Sequence, residues 1–120
     1  IAVVCYGMGV HWSLNAAKKL DGRVEIIDLR TLYPLDTATI YESVKKHSRC
    51  LVVTEETVDC SFAQSLAARI QENCFEHLDA PVRTIGAINV PAIPLNQVLE
   101  KTMLLSADKV YDSLVDLLDY

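Results

Sequence analysis

The chain has no stretch of about 18 apolar residues such as a membrane-spanning helix needs, and no signal-peptide pattern at its start. It also lacks a basic stripe. Eleven Lys and Arg stand against sixteen Asp and Glu, for a net charge of −5, and the only basic doublets are Lys18-Lys19 and Lys45-Lys46. Nucleic acids and anionic membranes are held by clustered cations that displace counterions, so neither is a fitting partner. Four cysteines are present but never as C-x-x-C, and none of the three histidines stands at ligand spacing from one. That placement argues against a disulfide or zinc framework. Cys5 and Cys50 fall in apolar runs and read as small buried hydrophobes, while Cys60 lies in a polar turn and Cys74 in a helical pattern. The pattern indicates a reducing, cytoplasmic compartment. Repeats and low-complexity tracts are missing too, and so is an initiator methionine: Ile1 opens directly on "IAVVCYG", as expected of a domain cut from a longer protein.

What is present describes one domain, residues 1–120, apolar at 51% and long enough to bury roughly two-thirds of its unfolded surface. Four apolar runs have strand length: "IAVVCY" (1–6), "RVEIIDL" (23–29), "CLVVTEE" (50–56) and "VRTIG" (82–86). Helical spacing fills the intervals. Val10, Leu14, Ala17 and Leu20 predict the buried stripe of a first helix, and Ile40 with Val44 that of a second. Phe62, Leu66, Ile70, Cys74 and Leu78 mark a third, and Val110, Leu114 and Leu117-Leu118 a last. Ser61-Phe62-Ala63-Gln64 has the form of a capping box, Asp79-Ala80-Pro81 stops that helix, and Ser106 suits the N-cap of the last. Wholly apolar strands alternating with helices predict an α/β fold of three layers, a mostly parallel sheet covered on both faces. Only residues 87–105, broken by Pro91 and Pro94, are expected to be irregular.

Several patterns invite chemistry. "GMG" (7–9) stands where a dinucleotide-binding turn would, with Asp28 near the place of a ribose-binding acid, but Trp12 fills the third glycine position and rules against close helix–strand packing. Glu55-Glu56 ends the third strand at the edge where α/β sheets take ligands, yet adjacent strand residues face opposite ways and no further metal ligands accompany them. A receiver-type phosphoacceptor site would need acids after the first strand, where Tyr6-Gly7 stands. His11 has no nucleophile or acid partner by pattern. His47 closes a cationic last turn that suits the helix dipole, and His77 lies near another helix end. Pro91-Ala92-Ile93-Pro94 matches a polyproline ligand pattern but reads as a rigid connection. In "IDLRTLYPLD" (27–36), Pro34 stops strand pairing and biases Tyr33 toward extended backbone, and Asp36 is placed to cap the next helix through Ala38 or Thr39. Asp28 and Arg30 have no such local duty.

The stretch "VEIIDLRTLYPLDTATIYESVKKHSRCLVVTEE" resembles the carboxy-terminal domain of the transketolase superfamily, nearest to the β subunit, or β half, of the thiamine-diphosphate-dependent first component of 2-oxo acid dehydrogenase complexes. "YGMGVHWSLNAAKKL", "SLAARIQE" with "LDAPV", and the Gly86-to-Pro91 loop extend the likeness over nearly the whole chain. It departs from the family at Asp59-Cys60-Ser61-Phe62, where glycines are usual, and at Pro91–Pro94, one residue longer than the usual P-x-P. The resemblance implies a domain that braces subunit assembly, as homodimer or heterotetramer, and helps form the docking surface for a dihydrolipoamide acyltransferase core. It further implies that thiamine diphosphate and magnesium are held by other domains, that no catalytic residue lies here, and that Asp28, Arg30, Tyr33, Glu55 and Glu56 are interface candidates. Branched-chain 2-oxo acids are the expected substrate class, with pyruvate and acetoin open. Another transketolase-superfamily enzyme, of transketolase or deoxyxylulose-phosphate synthase type, is the alternative; a free-standing Rossmann- or receiver-like binding module is a third reading.

Overall fold

The computed structural model describes residues 1–120. Four strands, β1 (Ala2–Cys5), β2 (Glu25–Asp28), β3 (Cys50–Thr57) and β4 (Arg83–Ala87), form one all-parallel sheet in the order β2-β1-β3-β4. The helices are α1 (Met8–Ala17), α2 (Thr37–His47), α3 (Phe62–Cys74), α4 (Gln97–Met103) and α5 (Ala107–Leu118). Every residue of β1 and of Cys50–Thr54 in β3 is wholly buried, which is why these segments read as continuous apolar runs rather than alternating ones.

Successive strand side chains serve two cores. Val3, Cys5, Leu51 and Val53 face one layer with Ala16, Val110, Leu114 and Leu117 of α1 and α5. Ala2, Val4, Cys50 and Val52 face the other, with Ile40 and Val44 of α2 and Leu66, Ile70 and Cys74 of α3. The path leaves β1 for β2 on one side, then crosses back over it to β3 on the other. That reversal puts α1 and α2 on opposite faces, since parallel crossovers keep one hand.

The strands, the three-layer α/β arrangement and the stripes of α2, α3 and α5 agree with expectation. The α1 stripe agrees only in part: Val10 packs on the core and Leu20, just past the helix, is buried. Its buried residues are Gly9, Ser13 and Ala16, while Leu14 is 47% exposed. Helix α1 lies too close to the sheet for large side chains: a Cβ on Gly9 would sit 3.0 Å from the carbonyl oxygen of Val53. α3 also ends sooner than its stop signal. A 3-10 turn over Phe75–His77 takes over after Cys74, and Leu78 packs on the core from beyond the helix. Residues 87–105 hold a seven-residue helix, α4, capped by Asn96, whose side chain accepts from the amides of Val98 and Leu99. Burial raises the thiols of the three core cysteines, Cys5 to about 11 and Cys50 to about 12 with Cys74 also raised, so they are packing groups rather than nucleophiles.

Two polar features brace the frame. Glu25, at the start of edge strand β2, accepts from Ser43 Oγ at 2.6 Å, His47 Nε2 at 2.9 Å and Lys46 Nζ at 3.1 Å. This ties the last turn of α2 to the sheet and gives His47 the structural role its position suggested. The hydroxyl of Ser43, followed by Lys46 and His47, holds the Glu25 carboxyl down at about 2. At the other edge the β3–β4 register shifts between Val53 and Thr57, and Gly86 sits against the irregularity. A Cβ there would stand 2.5 Å from Glu56 O and 2.7 Å from Thr54 Cγ2, so only glycine lets β4 close on the bulge.

Gly86→Ala is therefore expected to destabilise the chain by about 2 kcal/mol or more, read from the urea midpoint, whereas Gly22→Ala, with open space around its Cα, pays only for its positive φ. Because the Glu25 carboxyl is depressed on folding, its stabilisation is complete above its ordinary pKa of 4.5 and is lost as pH falls toward about 2. Glu25→Gln should flatten the loss of thermal stability through that window. The effect is modest and weakened by salt, because the carboxylate is 40% exposed.

Candidate functional site

Parallel strands all end at the same rim, and the N-termini of α1, α2 and α3 open there beside them. In open α/β sheets the ligand crevice lies at this rim, where the strand order reverses; here that is between β1 and β3. The residues at the reversal are Tyr6 and Gly7 after β1, and Thr54, Glu55 and Glu56 in β3.

Gly7 turns the chain from β1 into α1 at φ +56, a left-handed conformation that a side chain resists. The turn leaves the first amides of α1 pointing outward, where a phosphate would bind. The place is taken. Glu55 Oε2 accepts from Met8 N at 3.0 Å and lies 3.3 Å from where a Cβ on Gly7 would be. The negative charge that favours a helix N-terminus is supplied by the chain itself, and a bound diphosphate would meet a carboxylate. To the obstruction by Trp12 the structure thus adds a second reason against a dinucleotide at "GMG".

Glu56 points the other way, as adjacent strand residues do. Its Oε1 accepts from Tyr6 Oη at 2.8 Å and from Phe62 N, at the start of α3, at 3.2 Å. Thr54 Oγ1 donates to Tyr6 Oη at 2.9 Å and accepts from Glu56 N at 3.3 Å, and the Tyr6 ring meets Phe62 edge-on at 5.7 Å. Burial, reinforced by the Glu56 carboxylate, pushes the Tyr6 phenol up to about 12. It is a fixed donor at neutral pH and no proton shuttle. The α3 start is completed by Ser61 Oγ, which accepts from Gln64 N at 2.9 Å, and by Gln64 Oε1, which accepts from Cys60 N at 3.1 Å. The reciprocal bond thus lands one residue before the cap rather than on it, because Ser61 N is already given to Val58 O.

The remaining candidates lie across the sheet. Asp28, ending β2, pairs with the guanidinium of Arg30, whose side chain is 87% exposed. Together with Thr31, Pro34, Asp36 and Thr39 they line an open groove of about 480 Å³. Tyr33 is 95% exposed and precedes Pro34 through a cis peptide bond. Asp36 caps α2, accepting from Thr39 N at 3.1 Å and Thr39 Oγ1 at 2.7 Å. The structure thus unites Asp28 with Arg30, leaves Tyr33 alone on the surface, and gives Glu55 and Glu56 internal partners on opposite faces. His11 and His77 are exposed on separate elements, and no three His, Cys, Asp or Glu side chains converge as a metal site would require. The chemistry available at the rim is that of structural carboxylates and one exposed cation, with no nucleophile–base pair. Sequence reading missed the Tyr6–Thr54–Glu56 cluster. A hydroxyl at the end of each of two apolar strands, with an acid two residues past the second, was the one signal that pointed to it.

Three comparisons bear on this arrangement. The family described as "Transketolase, C-terminal domain" matches residues 1–110. Among curated proteins, the 2-oxoisovalerate dehydrogenase subunit beta of Bacillus subtilis (strain 168) is 38% identical over 123 residues, covering 100% of this chain and 38% of that protein. The pyruvate dehydrogenase E1 component subunit beta of Rhizobium meliloti (strain 1021) is 39% identical over 114 residues, 92% of this chain and 25% of its own length. The acetoin:2,6-dichlorophenolindophenol oxidoreductase subunit beta of Bacillus subtilis (strain 168) is 34% identical, covering 98% and 35%. The chain therefore spans well under half of the relatives it matches. Among solved structures, a split-gene transketolase described as an inactive beta4 tetramer superposes with a TM-score of 0.76 over 98% of this chain and 39% of its own, at 23% identity, which is a likeness of fold.

If Glu56 is a helix-capping and tyrosine-anchoring group, Glu56→Ala should lower the stability of the chain by about 1 kcal/mol, and Glu56→Gln by less. Equal urea midpoints for wild type and Glu56→Ala would show that its contacts do not hold the fold.

Proposed function

The chain belongs to the family of transketolase C-terminal domains, and from that premise we propose that it is the assembly domain of the decarboxylating component of a 2-oxo acid dehydrogenase. In this reading residues 1–120 are one domain of a longer, cytoplasmic enzyme that oxidatively decarboxylates a 2-oxo acid and passes the acyl group to lipoyl groups. Branched-chain 2-oxo acids are the proposed substrates. Pyruvate and acetoin, named in other relatives, are the competing ones.

The observation that carries the reading is the match along the whole chain, at 38% identity, to a 2-oxoisovalerate dehydrogenase subunit beta. The rim chemistry supports the division of labour within it. Thiamine diphosphate, with its magnesium, supplies the ylid for such decarboxylations, but the residues here do not fit that group. The α1 N-terminus, which would receive a diphosphate, already holds the Glu55 carboxylate, and the neighbouring phenol is fixed by Glu56 and Thr54. Cofactor and substrate are therefore assigned to other domains of the enzyme. This domain contributes contact surface: Asp28, Arg30 and Tyr33 toward sister subunits or the dihydrolipoamide acyltransferase core, in a homodimeric or heterotetrameric enzyme. Glu55 and Glu56 flank the same rim, with one oxygen of each already engaged in capping.

Titration calorimetry tests this. The 120-residue chain should give no binding heat with thiamine diphosphate and magnesium, while the longer enzyme containing it should bind the cofactor and reductively acylate lipoyl groups from a branched-chain 2-oxo acid. Tight cofactor binding by the 120-residue chain would overturn the division of labour, and an inactive longer enzyme would overturn the assignment.

A further inference from the structure

The stretch from Ile88 to Leu104 lies outside the layered frame. It leaves β4, passes Pro91 and Pro94 and returns through α4, and Met103 is the only side chain it buries. A helix as short as α4 does not persist on its own backbone bonds, and one buried methionine adds little. Other ties hold it. Ile88 N donates to Met103 O at 3.1 Å, so the two ends of the stretch meet, and Asn89 Oδ1 accepts from Asp59 N at 3.3 Å. The third tie comes from α5, where Lys109 Nζ donates to Thr102 O at 3.0 Å and to Leu104 O at 2.7 Å. Lys109 is badly placed for its own helix. It lies three residues past the Ser106 cap, in the first turn of α5, where the backbone favours an acid such as the neighbouring Asp108 and disfavours a cation. The gain is at the far end of the side chain. Carbonyls at the close of α4 have no partner within their own helix, and bonds from a charged donor are the stronger kind.

We propose that residues 88–104 form a strap that opens as a unit while the sheet stays folded, and that Lys109 is the positioning residue that clasps it shut. Ala87 and Leu105, both buried, anchor its two ends in the frame, so the strap can swing without disturbing the layers. Segments with few buried contacts and exposed backbone bonds are the ones that open locally. Ile93, Leu95, Val98 and Leu99, each more than half exposed, ride on this one. The clasp therefore sets the arrangement in which that apolar surface is presented. The strap does not depend on the assembly reading, since every group in it belongs to this chain.

Amide hydrogen exchange of the 120-residue chain, followed residue by residue where rates no longer change on dilution, is the test. Lys109→Met keeps the apolar stem and removes the donor, Lys109→Arg keeps charge and donors, and Lys101→Met removes a cation from α4 itself as the control. In wild type the hydrogen-bonded amides of Ile88, Glu100 and Leu104 should exchange faster than those of Val3 and Val52 in the sheet. Lys109→Met should speed the strap amides at least about tenfold and leave the sheet amides unchanged. Lys109→Arg and Lys101→Met should both stay close to wild type. Strap and sheet amides exchanging at one rate in wild type would overturn the strap. Strap rates unmoved by Lys109→Met, or raised as much by Lys109→Arg or Lys101→Met, would overturn the clasp. A Lys109→Met chain that loses its sheet, or speeds sheet and strap alike, makes Lys109 an ordinary stabilising residue and overturns the clasp as well. None of these readouts depends on cofactor or turnover, so failure here is distinct from failure of the functional assignment.

Discussion

Two strands with no outward side govern this molecule. β1 and the first five residues of β3 are wholly buried, so both their faces and both their edges must be satisfied by other parts of the chain. Buried amides and carbonyls demand pairing, which β2 and β4 supply at the flanks. Buried side chains on alternate faces demand two helical layers, which α1 and α5 supply on one side and α2 and α3 on the other. A sequence that writes "AVVC" and "CLVVT" without a polar alternate leaves little choice but a covered parallel sheet.

The same parallelism explains the rim. Strand ends and helix starts collect at one edge, and each helix start brings unpaired amides and a partial positive charge. An enzyme of this architecture can use them to hold an anion. Here the chain fills them itself: Glu55 at α1, Asp36 at α2, and Ser61 with Glu56 at α3. The edge that could have been an active site is neutralised from within, and the surface still unsatisfied is apolar, beyond β4. That distribution is consistent with the assembly role proposed above.

Much of the fold was legible because its signals are local. The apolar runs, the caps at Asp36, Ser61 and Ser106, and the stripes of α2, α3 and α5 each depend on residues a few positions apart. The α1 stripe was misread at Leu14 because the helix packs mainly through Gly9, Ser13 and Ala16, and small residues carry almost no hydrophobic signal. What makes them necessary is the carbonyl of Val53, more than forty residues away. α4 escaped notice because it is only seven residues long and Met103 is its one buried side chain, too few to make a stripe. At the candidate site, the sequence put Asp28 and Arg30 at one strand end, and only the structure pairs them. The cluster of Tyr6, Thr54 and Glu56 joins residues nearly fifty positions apart.

By itself the sequence determined the class of fold and the family, because periodicity and a run such as "DLRTLYPLD" are properties of neighbours along the chain. Tertiary structure decided what each acid does. Glu55 and Glu56 are adjacent letters, yet they cap different helices on opposite faces, since a strand turns alternate residues apart and only the packed helices determine what each one meets. It also decided where the apolar surplus lies: a leucine is written the same way whether buried at position 51 or bare at position 95, and only the arrangement of everything around it settles which.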